Sequence, residues 1–304
     1  MASTNLSQNI KIDIQQTINA EMQSLIEKAA DLVLNCEAIL FTSGAGMGVS
    51  SGLGTFRGVA AGVWPPLLKH PELDFTDMSN PQWFTKPQGN SDKHNTANFG
   101  YAFWAYRYNA YTSAAPHLVI LMVIWIKSGW NESAVLECHG SVHYMQCIDK
   151  CCECIWETNR TLKLNVDPKT DCVIDPLPQC LYCEKLARPN VLMFGDRKFL
   201  GNRLNEQVAH YEKFKSDIVR TKARLLIIEL GAGTAVPTVR AESERIFVDS
   251  RWTADFIRIN PLDEHSRINF YYKNKGKGQT IEISLDALTA LVLIDEAIKK
   301  KLKQ

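Results

Sequence analysis

Two pairs of cysteines have the spacing of a metal site. Three residues lie between Cys147 and Cys151, and two lie between Cys180 and Cys183. Two such pairs joined by a loop are typical of a tetrahedral four-cysteine zinc site. Because four thiolates fill the coordination sphere of zinc, we expect a structural metal with no open position for catalysis.

The second ligand of the first pair is open to more than one interpretation. Cys152 and Cys154 lie beside Cys151, and the pair Cys151 and Cys154 also has the spacing of zinc ligands. The other cysteines, Cys36, Cys138 and Cys172, are interpreted as small hydrophobic residues. Clustered thiols in a chain without an evident secretory signal favour a reducing compartment, so we expect an intracellular protein, cytoplasmic or nuclear.

A segment near the N-terminus joins an apolar run to very small residues. Residues 38–42 are apolar and partly β-branched, which predicts a buried strand. Gly44, Ala45 and Gly46 follow, and with so little side chain their backbone N–H groups can approach a phosphate closely. The segment predicts a dinucleotide site, and the alternative is an ordinary glycine-rich turn.

His139 is the residue best suited to general acid–base chemistry. It precedes Gly140 at the end of an apolar run. Because an unperturbed histidine has a pKa of about 6.5, it can accept a proton near neutral pH. The alternative is a histidine satisfied within the core. His117 and His143 are weaker candidates for the same role.

Charge and hydropathy argue against two classes of partner. The 304 residues carry a formal net charge of +1, so no overall field favours direct binding of nucleic acid or a membrane surface. The longest apolar run, residues 118–126, predicts a buried helix and is shorter than the about 20 residues needed to cross a bilayer. Residues 1–20 are polar, so we expect no signal peptide.

The candidate residues are expected to be held by alternating helices and strands. Residues 17–35 have a helical period, and residues 223–229 and 255–259 predict two more strands, each ending in small or polar residues. This alternation predicts an α/β fold with a doubly wound parallel sheet, whose ligands bind at the carboxyl ends of the strands. Residues 59–115 predict short helices, which either cover the pocket or form a peripheral insert.

Several short motifs follow one another in an order that resembles one known family. They are Gly44-Ala45-Gly46, Phe56-Arg57-Gly58, Cys138-His139-Gly140, the two cysteine pairs, Arg188-Pro189, Phe194-Gly195-Asp196, Gly231-Ala232-Gly233 and Ile259-Asn260-Pro261. Together they resemble the sirtuins, NAD-dependent protein lysine deacylases, over roughly residues 20–298. An ordered set of motifs is far more specific than any one of them.

The resemblance implies a Rossmann-like fold with a zinc-bearing insert. The NAD-binding domain would comprise residues 21–140 and 188–298, with the helical cover at 59–115. A small zinc module would occupy residues 141–187, and residues 1–20 would form a polar N-terminal segment. NAD would be the co-substrate, Zn²⁺ would be structural, and an acyl-lysine peptide or protein would lie between the domain and the module.

The resemblance also implies individual roles. His139 would be the general base that takes a proton from a ribose hydroxyl. Phe194 and Gly195 would pair with the substrate backbone as an added strand. The cofactor-binding residues would be Gly44, Ala45 and Gly46 at the pyrophosphate, Phe56 and Arg57 at the nicotinamide ribose, and Gly231, Gly233 and Asn260 at the adenosine end.

The chain departs from the family pattern before His139. Sirtuins have there a core strand and an Asn-Ile-Asp loop that meets the nicotinamide, whereas this chain passes from Ser128 directly to Gly129-Trp130. Gly54-Thr55 also replaces the usual Pro-Asp, and Gly48 replaces a serine. A missing central strand would leave its neighbours with unpaired backbone groups, at about 1–3 kcal/mol each if buried.

The function expected from this resemblance is NAD-dependent removal of an acyl group from lysine, with transfer to ADP-ribose and release of nicotinamide. The missing Asn-Ile-Asp motivates an alternative, a catalytically impaired module that binds NAD or ADP-ribose. Protein ADP-ribosyl transfer is a third possibility within the same chemistry. A zinc-held interaction scaffold without nucleotide fits the glycine loops least well.

Overall fold

The structure is a computed structural model that describes residues 18–47, 64–88, 96–113, 131–159 and 162–304. The α-helices in these ranges are α1 (Ala20–Asn35), α2 (Phe75–Met78), α3 (Ala97–Ser113), α4 (Asn202–Thr221), α5 (Thr238–Phe247), α6 (Asp263–Ser266), α7 (Phe270–Lys275) and α8 (Ala287–Lys301). Short 3-10 helices cover Pro65–Lys69, Pro81–Thr85 and Glu132–Ala134. The strands are β1 (Ala38–Ser43), β2 (Gly140–Cys147), β3 (Ile155–Glu157), β4 (Val166–Asp167), β5 (Cys172–Val173), β6 (Ala187–Val191), β7 (Leu225–Leu230), β8 (Ala254–Ile259) and β9 (Thr280–Ile283).

The chain divides into two compact units. One unit contains residues 1–52 together with 215–304, and we call it the sheet unit. The other contains residues 53–214, and we call it the cysteine unit. The domain boundaries implied by the sequence resemblance stay a prediction.

A parallel sheet forms the centre of the sheet unit. Its described strands lie in the order β1, β7, β8, β9, and each neighbouring pair is parallel. The expected α/β fold with a parallel sheet is confirmed. The predicted strand at 38–42 is extended by one residue to Ser43. The strand predicted at 223–229 runs from Leu225 to Leu230, and the strand predicted at 255–259 begins one residue earlier, at Ala254.

Burial differs sharply between the strands of this sheet. Every residue of β7 and β8 is buried, as expected of continuous apolar runs covered on both faces. In β1 only Ser43 is buried, and the remaining residues are half-buried. Among the residues that the structure describes, β1 pairs with β7 alone.

Three helices of the sheet unit pack on this sheet or on one another. The helix predicted over 17–35 begins at Ala20, because the side chain of Asn19 caps it by accepting a hydrogen bond from the Met22 N–H at 2.8 Å. This helix, α1, packs against α8 and β9, and α5 packs against β1, β7 and β8. The loops that follow β1, β7 and β8 lie at one edge of the sheet, and they contain the nucleotide-binding residues predicted from the sequence.

The cysteine unit is built around the aromatic helix α3. Phe99, Tyr101 and Phe103 are fully buried, and α3 packs against the short strand β5 and against β2. A three-stranded antiparallel sheet in the order β3, β2, β6 lies in the same unit. The register of β2 against β6 shifts between Ser141 and Met145, so the pairing is irregular within the strand that follows His139.

Short helices do form within the described part of residues 59–115, as expected, together with the longer α3. Whether they cover a pocket stays a prediction. The apolar run at 118–126 lies outside the described residues. Within the described ranges, none of the helices is both long and apolar enough to cross a membrane.

Candidate functional site

Four cysteine thiols meet in the cysteine unit. The Sγ atoms of Cys147, Cys151, Cys180 and Cys183 all lie within 4.8 Å of one another. Cys147 and Cys183 are 3.6 Å apart, and Cys151 and Cys180 are 3.5 Å apart. Thiolates bound to one tetrahedral zinc at about 2.3 Å would be about 3.8 Å apart, so the cluster fits a structural zinc site.

Backbone N–H groups support both pairs in the same way. The N–H of Asp149 points to the Cys147 sulfur at 3.4 Å, and the N–H of Tyr182 points to the Cys180 sulfur at 3.5 Å. Burial raises the pKa of the Cys147 thiol, but the N–H groups of Cys151 and Asp149 lower it, to a net value of about 7. These bonds favour the thiolate form that a metal needs.

The tertiary structure decides between the alternative ligands of the first pair. Cys151 contributes its sulfur to the cluster, whereas Cys152 and Cys154 do not belong to it. The Cys152 sulfur lies 3.9 Å from that of Cys151. The ligand set predicted first, Cys147, Cys151, Cys180 and Cys183, is therefore the one that the fold brings together.

The sheet unit contains a close backbone contact that we call the glycine crossing, formed by Gly44, Gly46 and Gly231. A Cβ on Gly44 would lie 2.6 Å from the Ala232 Cα, and a Cβ on Gly46 would lie 2.7 Å from the Gly231 carbonyl oxygen. A Cβ on Gly231 would meet the Met47 nitrogen at 2.0 Å. The loops after β1 and β7 can approach this closely only because side chains are absent.

The N–H groups predicted to cradle a phosphate are partly used within the fold. Gly44 N–H donates to the Leu230 carbonyl and Gly46 N–H to the Gly231 carbonyl, both at 2.9 Å. The small residues therefore fasten one loop to the other. Binding of the pyrophosphate by Gly44, Ala45 and Gly46 stays a prediction. In that prediction these small residues contribute by letting the loop backbone lie close to the phosphates.

The predicted adenosine residues lie in the loops after β7 and β8. A Cβ on Gly233 would meet nothing within 4 Å among the residues that the structure describes, so this position is open on that side. Asn260 is buried, and its side chain donates to the Ala232 carbonyl at 3.4 Å and accepts from the Leu262 N–H at 3.1 Å. Asn260 thus joins the two loops, and its contact with a nucleotide stays a prediction.

His139 is half-buried in the cysteine unit, directly before β2. Its carbonyl accepts the Leu192 N–H at 2.9 Å, and Gly140 N–H donates to the Glu137 carbonyl at 2.9 Å. Gly140 has a φ of +72°, and a Cβ there would overlap the Asn190 carbonyl oxygen. Burial lowers the pKa of His139, so the imidazole is neutral at pH 7 and able to accept a proton.

Sequence reasoning missed the group that holds this histidine segment. Glu137 is buried, its N–H donates to the Gln207 side chain at 2.9 Å, and its carboxylate pairs with Arg203. Arg203 also lies over the Tyr144 ring, 4.0 Å from its centroid. Glu137 stands two residues before His139, but Arg203 and Gln207 come from α4, and no local pattern connects them to it.

Phe194 and Gly195 differ from the expected extended conformation. They lie in a turn after β6, and Gly195 has a φ of +67°, which a β-strand does not allow. The Phe194 N–H is already donated to the Ser79 carbonyl at 2.9 Å. Pairing of these residues with a substrate backbone stays a prediction, and it would have to use groups other than this N–H.

Phe56 and Arg57, predicted at the nicotinamide ribose, lie outside the described residues. His117 lies outside them as well. His143 is within β2 and its ring packs against Tyr108, with centroids 5.7 Å apart, as expected of a core histidine.

A row of polar side chains crosses the sheet one residue before the candidate loops. Thr42, Glu229, Arg258 and Glu282 are register partners on β1, β7, β8 and β9. Arg258 and Glu229 are fully buried and form a bidentate ion pair at 2.5 and 3.1 Å. Each of these two apolar strands contains one arginine or one glutamate, and this could have indicated a buried ion pair, because burying an unpaired charge costs too much free energy.

Comparison with known proteins supports one family. Residues 126–220 match the model of the Sir2 family. A "Probable bifunctional ADP-ribose hydrolase/ADP-ribosyltransferase" from Fusarium oxysporum is 24% identical over 89% of this chain, which spans only 48% of that relative. An "NAD-dependent protein deacylase" from Leptospira interrogans is 26% identical, over 79% of this chain and 87% of its own length.

A solved structure described as "The Structural basis for Sirtuin Substrate affinity" aligns with 90% of this chain and 97% of its own, at 18% identity and a TM-score of 0.44. The family match lies over the segment that contains His139 and all four clustered cysteines. The family match and the deacylase relatives together support membership of the Sir2 family, the sirtuins.

Proposed function

We propose that this chain removes acyl groups from lysine side chains at the expense of NAD. The acyl group is transferred to ADP-ribose, and nicotinamide is released. The observation that carries the proposal is His139, a neutral and half-buried imidazole on a braced segment beside Gly140. The name of the Leptospira relative, an NAD-dependent protein deacylase, supports the same chemistry.

The residues of the sheet unit fit a nucleotide. In the glycine crossing the loops after β1 and β7 meet at positions that have no side chain, and a Cβ on Gly233 would meet no atom of the described residues within 4 Å. Both loops follow the carboxyl ends of adjacent parallel strands, the edge at which such sheets bind nucleotides. When bound there, NAD supplies the glycosidic bond whose cleavage releases nicotinamide and the ADP-ribose that accepts the acyl group.

His139 acts as the general base in this proposal. Burial disfavours the imidazolium, so the ring is held in the form that can take a proton from a ribose hydroxyl. Glu137 and its partners on α4 limit the movement of the segment before the histidine. The bond from Leu192 N–H to the His139 carbonyl fixes the segment on its other side.

The four-cysteine cluster has a structural part in this chemistry. At about 3.3 Å per residue, the eight residues from His139 to Cys147 at the end of β2 span roughly 26 Å along the chain. Four thiolates also leave zinc without an open position. The metal would hold the β2 and β6 ends together, and no step of the reaction would use it.

The test uses the full chain with bound zinc, NAD and an acetyl-lysine peptide, and measures nicotinamide and deacetylated peptide together. We expect both products in equal amounts, and we expect His139→Asn to lower their rate by about 100-fold or more. His210→Asn is the matched control, because His210 is exposed on α4, and its rate should stay within about twofold of the original chain. Absence of nicotinamide release from zinc-replete protein would reject the proposal.

Transfer of ADP-ribose to a protein is a second candidate, favoured by the name of the Fusarium relative. The same reaction run with NAD labelled in its adenosine part distinguishes the two. Label retained on protein without deacetylated peptide would favour ADP-ribosyl transfer. Deacetylated peptide with label in a small-molecule product would favour deacylation.

A further inference from the structure

One arginine of the sheet unit joins the two loops that follow β7 and β8. Arg240 lies on α5, and its guanidinium donates to three backbone carbonyls. These belong to Ala232 at 3.4 Å, His265 at 2.8 Å and Arg267 at 2.7 Å. The side chain is only 13% exposed, so these bonds are made largely away from water. A planar guanidinium can serve several carbonyls at once, which a lysine ammonium does with much less order.

The Ala232 carbonyl is held from two sides. It accepts from Arg240 Nη1 and from the Asn260 side chain, each at 3.4 Å. In a trans peptide the carbonyl of one residue and the N–H of the next point in opposite directions. Fixing the Ala232 oxygen toward Arg240 therefore turns the Gly233 N–H away from both of these side chains.

The Gly233 N–H is in a position to serve a ligand. It has no hydrogen-bond acceptor within the parts of the chain that the structure describes. A Cβ on Gly233 would meet no atom of the described residues within 4 Å, so among them this side of the residue is open. An unused backbone donor beside open space is suited to an oxygen of a phosphate or of a ribose.

The position of Arg240 is set by the buried ion pairs beneath it. Glu244 accepts from Arg258 Nη1 and Nη2 at 3.0 Å, and its Oε1 lies 3.6 Å from Arg240 Nε. Burial and the nearby Arg258 lower the pKa of Arg240, but an arginine stays charged at any physiological pH. The two carboxylates of Glu229 and Glu244 balance the two guanidinium groups.

We propose that Arg240 is a positioning residue for nucleotide binding. It holds the Ala232–Gly233 peptide so that the Gly233 N–H donates to an oxygen on the phosphate or ribose of ADP-ribose. Arg240 itself acts through this peptide and does not touch the nucleotide. The inference rests on the proposed function, because it takes the loop after β7 to be a nucleotide site.

The test is ADP-ribose binding by the zinc-replete full chain, measured by calorimetry alongside the melting temperature without ligand. Arg240→Met should weaken ADP-ribose about 10-fold or more, and Arg240→Lys should fall between it and the original chain. The control is Arg245→Gln on the same helix, whose side chain is 50% exposed and paired with Glu242. Its affinity should stay within about twofold.

A second measurement separates positioning from general stability. In an amide NMR spectrum of the original chain, saturation with ADP-ribose should shift the Gly233 signal, and in Arg240→Met it should not. A lower melting temperature of Arg240→Met with unchanged affinity for ADP-ribose would overturn the inference. A Gly233 amide signal of the original chain that does not shift when ADP-ribose is added would overturn it as well. If Arg240→Met does not fold, Arg240→Lys decides, and affinity equal to the original chain would overturn the inference.

Failure of the proposed function gives a different result. If the original chain does not bind ADP-ribose, the nucleotide site and this inference fall together. If the original chain binds ADP-ribose but both Arg240 variants bind as well as Arg245→Gln, only the inference about Arg240 falls.

Discussion

The cysteine cluster and the glycine crossing are both made where two segments of the chain meet, but they use opposite means. The cluster needs four particular side chains, and the two sulfurs of each cysteine pair come from a single turn. The crossing needs the absence of side chains, because Gly44, Gly46 and Gly231 bring backbone into direct contact. The first site would fail by losing a ligand atom and the second by gaining one methyl group.

This difference predicts how each region tolerates substitution. A sulfur can be removed from the cluster without crowding, so the loss is the free energy of metal binding. A methyl group in the crossing would overlap backbone atoms of the loops that follow two neighbouring strands of one sheet, so the loss is strain within the fold.

The largest effect is expected for Cys180→Ser. It removes one of four zinc ligands, and structural zinc is linked to as much as about 10 kcal/mol of folding free energy in small domains. We expect loss of bound zinc and unfolding of the strands β2 and β6, measured by metal analysis and hydrogen exchange. Cys154→Ser is the control, since Cys154 lies outside the cluster, and it should keep its zinc. Zinc loss in Cys154→Ser with retention in Cys151→Ser would contradict the ligand assignment.

Arg258→Met tests whether the stability of the sheet next to the glycine crossing also depends on a particular side chain. The substitution would leave Glu229 buried without its bidentate partner, at a cost of about 3–5 kcal/mol in the free energy of unfolding. Arg251→Met, at a half-exposed pair with Asp249, should cost less than about 1 kcal/mol. Equal losses in urea denaturation would show that burial of the Arg258 pair does not matter.

Gly231→Ala sharpens the comparison at the crossing itself. Gly231 has a φ of +60°, and a Cβ there would meet the Met47 nitrogen and the Gly46 carbonyl carbon at 2.0 and 2.2 Å. Left-handed backbone and overlap together should lower the free energy of unfolding by about 3 kcal/mol.

The matched control for Gly231→Ala lies two residues along the same loop. Gly233→Ala adds a methyl that meets nothing within 4 Å in the described ranges, so its cost should stay below about 1 kcal/mol. Both variants are compared by urea denaturation without ligand. A Gly233→Ala variant as unstable as Gly231→Ala would contradict the crossing as the cause.

The smallest effect concerns pH and the segment before β2, which leads from His139 to the cysteine cluster. Burial lowers the pKa of His139, so the unfolded chain binds this proton more tightly than the folded chain. Stability should therefore fall as the pH drops below the unfolded pKa of about 6.5, by about 1 kcal/mol or less. His139→Asn should remove this contribution from the difference between urea denaturation at pH 7.5 and at about pH 5.5. An unchanged pH dependence would show that His139 is not the group responsible.

Much of the cysteine cluster could be predicted, because its ligands are spaced within short turns. The pattern also indicated Cys152 and Cys154, and only the fold selects Cys151. Strands β1, β7 and β8 could be predicted from apolar runs to within two residues at each end, whereas β9 was not predicted. The turn at Gly195 was not foreseen, and the neighbouring Phe194 N–H bonds to Ser79, a residue far away in the sequence that no local pattern connects to it.

What the sequence by itself determined is the set of chemical groups and their order along the chain: the paired cysteines, the glycines after two strands, and the histidine before Gly140. These are local properties, fixed by residue type and spacing. The tertiary structure alone decided that Gly44 and Gly46 donate to the β7 segment, that Arg203 of α4 pairs with Glu137, and that Arg240 joins two loops. Each of these depends on segments distant in sequence packing together, and no local pattern carries that information.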